Sequence, residues 1–122
     1  MARLYSFLLL CCLAAFVVGC EPESPEEQAK KDPLVQALGE VGRMYHNYHD
    51  VHAVGPASWE ELSTMAGDDQ AKLDAIQTVK DKGYDLKWGV KLRDVTGGLS
   101  NTVLGESPQG GPKLMFDQSI QI

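Results

Sequence analysis

The chain has 122 residues, enough for one small domain, and its 17 acidic against 11 basic side chains give a formal net charge of −6. A surface of that sign repels nucleic-acid phosphates and anionic lipid heads, so neither is expected as a direct ligand. All three cysteines lie at or before position 20, which excludes a disulfide or a thiolate metal site from the remainder.

Residues 1–19 read as a signal peptide. One basic residue, Arg3, precedes an uncharged run of 16 residues from Leu4 to Gly19, short of the ~20 that a spanning helix needs. The run ends in Val17-Val18-Gly19-Cys20. A cysteine directly after a small residue is similar to the bacterial lipoprotein signal, and the resemblance implies lipidation of Cys20 as the new N-terminus. Cys11 and Cys12 follow Leu10 and Cys11, neither of them small. The apolar run lacks the glutamate that a type IV prepilin signal carries.

Residues 20–33 form the lipidated cysteine and an acidic, flexible tether. Between Glu21 and Asp32 lie seven charges and two prolines, with no large apolar residue. Residues 34–122 are expected to form a small α+β domain. Asp32 suits a helix cap and Pro33 a first helical position. Leu34, Leu38, Val41, Tyr45 and Tyr48 then recur at spacings of four and three, which predicts one helix ending near Asp50. Gly39 and Gly42 weaken its intrinsic propensity by ~1 kcal/mol each and leave room for another element to approach closely. Ser58-Trp59-Glu60-Glu61 matches a capping box and predicts a short helix to about Ala66. Asp68 or Asp69 caps another, with Leu73, Ile76 and Val79 on one face and Gly83 at its end.

The period then changes. Tyr84, Leu86, Trp88 and Val90 alternate with Asp85, Lys87, Gly89 and Lys91, which predicts a strand with one buried face. Further strands are expected at Thr102–Leu104, Lys113–Phe116 and Ser119–Ile122. The resulting fold class is one long N-terminal helix packed on a small antiparallel sheet, with two short helices between.

The helix end Tyr45-His46-Asn47-Tyr48-His49-Asp50, the step Pro56-Ala57-Ser58-Trp59-Glu60-Glu61-Leu62, and the ending Gly110-Gly111-Pro112-Lys113-Leu114-Met115-Phe116-Asp117-Gln118-Ser119-Ile120 resemble the pseudopilin-like proteins of unknown function abundant in planctomycete bacteria. The resemblance spans roughly residues 34–122 and implies a pilin-like helix-on-sheet domain. Gln118 stands where that family has glycine, in a turn that favours positive φ. A lipidated rather than prepilin-processed N-terminus argues against polymerisation into a pilus.

Candidate chemistry is sparse. His46, His49 and His52 form a His-x-x-His-x-x-His run, and Asp50 adds a carboxylate. Imidazoles at this spacing suit zinc, copper or nickel, so a metal-binding envelope lipoprotein is the alternative reading. The bland one is a polar helix end, where histidines suit the dipole. On a regular helix positions three apart lie about 60° round the axis, so all three rings do not face one point. His52 is expected beyond the helix end. Glu60/Glu61 and Asp68/Asp69 read as capping and first-turn residues, and no serine sits in a Gly-x-Ser-x-Gly elbow. Trp59 and Trp88 read as core, with Trp59 a binding residue if exposed. The sequence therefore points to a non-enzymatic protein without a cofactor. It is expected to be held on the non-cytoplasmic side of a cell-envelope membrane by lipid at Cys20, and to bind another envelope protein or act in assembly.

Overall fold

A computed structural model describes residues 31–122. The expected signal peptide, the expected lipidation site Cys20 and most of the expected tether lie outside the described residues. The first helix, α1 (Pro33–His52), starts where the chain chemistry directs: Asp32 accepts the Leu34 amide and Pro33 occupies the first turn. It runs to His52, two residues beyond the sequence expectation, because Ala53 closes it in the left-handed region (φ 62°) with its N–H on the His49 carbonyl. His52 is therefore helical.

The helix α2 (Trp59–Ser63) is capped by Ser58, which accepts the Glu61 amide. Glu61 reaches back to the Ala57 amide (2.7 Å) and also accepts the Tyr48 hydroxyl (3.1 Å), so the capping residue fastens α2 to α1. Asp69 caps α3 (Gln70–Asp81) through the amides of Ala71 and Lys72. Four strands follow: β1 (Asp85–Leu86), β2 (Val103–Glu106), β3 (Lys113–Met115) and β4 (Ile120–Gln121), preceded in the β1–β2 connection by single 3-10 turns at Leu92–Asp94 and Leu99–Asn101. The sheet is antiparallel throughout in the order β1-β2-β3-β4, and its edges are only two residues long, which leaves little unpaired backbone to template association. Leu104 is the extra residue of a bulge between the Val103–Met115 and Gly105–Leu114 pairs.

The class is α+β, with a long helix on a small antiparallel sheet and two shorter helices between. Leu38, Val41 and Tyr45 of the expected stripe are buried, while Leu34 and Tyr48 are half-buried. Ala37 and Met44 are buried as well, because α1 packs against α3 on one side and β3 and β4 on another. Gly42 sits where α1 meets the sheet, with Leu114 Cδ1 3.1 Å from the position of a Cβ.

The strand expected from Tyr84 to Val90 is cut to two residues. Its faces are as alternation requires, with Tyr84 and Leu86 buried and Asp85, Lys87 and Lys91 exposed. The Lys87 amide still bonds the Leu104 carbonyl, but Gly89 (φ 68°) then turns the chain away. Beyond that point it pairs with the connector after α1: Gly89 N–H bonds the Pro56 carbonyl and Gly55 N–H bonds the Val90 carbonyl, each at 2.8 Å. Trp88 is consequently half-buried rather than core.

The β3–β4 hairpin forms with glutamine at the glycine position. Gln118 N–H bonds the Met115 carbonyl, Met115 N–H bonds the Ser119 carbonyl, and Gln118 has φ 72°. Phe116-Asp117-Gln118 is thus a three-residue loop whose last member is left-handed. Asp117 Oδ1 accepts the Ser119 amide at 2.9 Å, a local bond that offsets the strain. A side chain in that region costs roughly 1 kcal/mol. Gln118→Gly should therefore stabilise the domain, by less than about 1 kcal/mol because the freer unfolded chain of glycine offsets part of the relief, seen as a higher urea midpoint at unchanged slope. An unchanged midpoint would show that the Asp117 bonds already remove the strain.

Candidate functional site

The histidine run is built by the last two turns of α1, and the structure sends its members to three different partners. His46 Nε2 contacts the Phe116 carbonyl. His49 Nε2 accepts the Leu92 amide at 3.1 Å. His52 is exposed and lies over Tyr48, ring centroids 4.1 Å apart and tilted by 32°. Asp50 is exposed on the same stretch of helix. Two imidazoles thus contact backbone of the β1–β2 connection and the β3–β4 turn; both are half-buried, whereas His52 is exposed. His49 and His52 also share a hollow with the cations Lys91 and Arg93, a setting that opposes a metal cation. Among the described residues no three histidine, cysteine, aspartate or glutamate side chains come together as a metal site.

Trp59 is half-buried at the first position of α2. Trp88 supports it edge to face, centroids 5.0 Å apart at 76°. Tyr48, through Glu61, holds the helix that carries it. Partial burial, the bond to Glu61 and the charge of Glu61 push the Tyr48 hydroxyl above its ordinary pKa, which keeps it a donor. The tryptophan pair was legible as two aromatic residues, but their mutual contact was not. It arises because the Gly89 turn returns Trp88 to the α2 side.

A groove of about 360 Å³ opens between α2 and α3, with Trp59, Leu73 and Ile76 as its apolar lining. Glu60, Asp74 and Lys80 are its charged members, and Gln70 and Gln77 lie along the α3 side. Hydrogen bonds from the Glu60 backbone and the Ser58 hydroxyl, with a smaller contribution from Lys80, hold the Glu60 carboxyl below its ordinary range. Gln70 and Gln77 each donate their amide to the carboxylate one turn on, Asp74 (2.8 Å) and Asp81 (2.7 Å). These glutamine–aspartate pairs escaped the sequence reading, although their spacing of four on a helix is a readable signal. Among the described residues no helix is long and apolar enough to cross a membrane.

No family model, curated protein or solved structure matches the chain.

Proposed function

We propose that the chain is a lipid-anchored cell-envelope protein of non-enzymatic role, a domain displayed on a tether to bind another envelope protein. The observation that carries the reading is the order Val17-Val18-Gly19-Cys20, charged tether, capped helix. It sets a lipidation signal immediately before a solvated spacer, and the helix cap falls where the spacer ends. Several acyl chains at ~0.8 kcal/mol per buried CH₂ give stable anchoring. Trp59 is half-buried and packs against the core, and its remaining surface lines the α2–α3 groove, where a partner could reach it.

The test is metabolic labelling with a fatty-acid probe. The wild-type chain should be labelled and partition with membranes, and Cys20→Ala should abolish both. Label retained in Cys20→Ala would remove the lipoprotein reading.

A further inference from the structure

Two half-buried histidines, three residues apart on α1, hold distant backbone by opposite chemistry. At His46 the partner is the Phe116 carbonyl, which only accepts, so the ring donates. At His49 the partner is the Leu92 amide, which only donates, so Nε2 accepts, at 3.1 Å. A protonated ring nitrogen still donates but has no lone pair left to accept with, and imidazoles change charge between about pH 5 and pH 8. Acid therefore acts on the two contacts in opposite senses. At His46 the added charge meets Asp117, whose carboxyl is held below its ordinary range by the Ser119 hydroxyl and amide, with a smaller contribution from His46. Arg43, one turn back on α1, is paired with Glu40.

His49 sits where the loss of one bond matters. Residues 91–98 follow Val90, whose carbonyl accepts the Gly55 amide, and precede Leu99, whose carbonyl accepts the Asp117 amide. Between these two fixed points the Leu92–His49 bond ties the segment to α1. Among the described residues, the other hydrogen bonds of 91–98 stay within the β1–β2 connection. Leu92 and Val95 pack partly buried on the core. Lys91 and Arg93 line one side of a hollow of about 440 Å³, and His49, His52, Ala53 and Val54 at the end of α1 line the other. A charge on His49 thus removes the acceptor and sets a cation against the two cations of the segment it held. His52, beside it on α1, adds to that charge in acid. Asp50 on α1 and Asp94, 4.0 Å from Arg93, oppose it. His52, Asp50, Lys91, Arg93 and Asp94 are all exposed and screened by solvent, so the lost acceptor is the larger effect.

We propose that His49 is an acid-sensitive latch: as pH falls it releases residues 91–98 from α1 and bares the apolar sides of Leu92 and Val95, while His46 keeps the final hairpin in place. The latch does not depend on an anchor at Cys20.

Amide hydrogen exchange of the full chain in detergent tests it, read by NMR at about pH 8 and about pH 5, the ends of the imidazole range, and corrected for the intrinsic pH dependence of exchange. Protection of the Leu92 amide should fall about threefold to tenfold in acid, the worth of one ordinary hydrogen bond. The Met115 amide, bonded to the Ser119 carbonyl across the hairpin, should keep its protection. His49→Gln offers an acceptor that does not titrate, so the acid step at Leu92 should vanish, with Met115 protection reporting that the fold is kept. A Leu92 amide unprotected at both pH values, or equally protected at both, would overturn the proposal. So would a step that survives His49→Gln, or an equal fall at Met115, which marks general loosening in acid.

Discussion

Tyr45→Ala should remove most of the stability of the domain. Tyr45 is wholly buried, meets the Phe116 ring edge-on at 6.3 Å and donates its hydroxyl to the Lys87 carbonyl at 2.7 Å. Truncating a core aromatic costs ~3–5 kcal/mol. Orphaning a carbonyl at the same place adds ~1–3 kcal/mol. A domain of this size holds only about 5–14 kcal/mol in total, at ~0.05–0.15 kcal/mol per residue. Thermal circular dichroism should therefore show a transition for Tyr45→Ala lowered by at least about 15 °C, or no folded baseline where the total stability is at the low end. Tyr45→Phe keeps the ring and should fold, with a loss of about 1–2 kcal/mol and a midpoint lower by roughly 4–16 °C. An unchanged midpoint in the alanine variant would contradict the placement of this side chain.

The second large effect is expected at Gly55. A Cβ there would overlap the Tyr45 hydroxyl and come within 2.9 Å of Tyr45 Cε1. Neither side can give way. The tyrosine is enclosed by core, and the Gly55 backbone is pinned by its bond to Val90. Gly55→Ala should thus cost about 3 kcal/mol, at the upper end for overpacking, measured as a lower urea midpoint. In a Tyr45→Phe background the cost should fall, because the overlapping oxygen is gone. Full additivity of the two changes would show that the backbone moves aside instead.

The helices were legible in the sequence because local chemistry writes them. Asp32-Pro33, Ser58 with Glu61, and Asp69 each cap where expected, and the apolar spacing sets the buried faces of α1 and α3. The sheet was legible in its faces but not its lengths. Strand ends depend on where partners stop, and the Gly89 turn is a tertiary choice between β2 and the Gly55-Pro56 connector. The helix end was misplaced because a left-handed alanine, not a glycine, closes it. The spacing of the histidine run carries no information about the partners of His46 and His49, which are backbone groups 70 and 43 residues away. The groove depends on two helices whose mutual placement no local pattern encodes, so only its tryptophan could be named beforehand.

The meeting of α1 with the final hairpin has a kinetic consequence. Tyr45 packs on Phe116, His46 touches the Phe116 carbonyl, and Gly42 lies against Leu114. The first helix thus acquires one of its two apolar neighbours only from the last tenth of the chain. Loop-closure entropy must be spent across some seventy residues before that contact forms. Contacts of such long range slow folding. Until then α1 is at best a marginal helix with the apolar surface that meets the hairpin left bare.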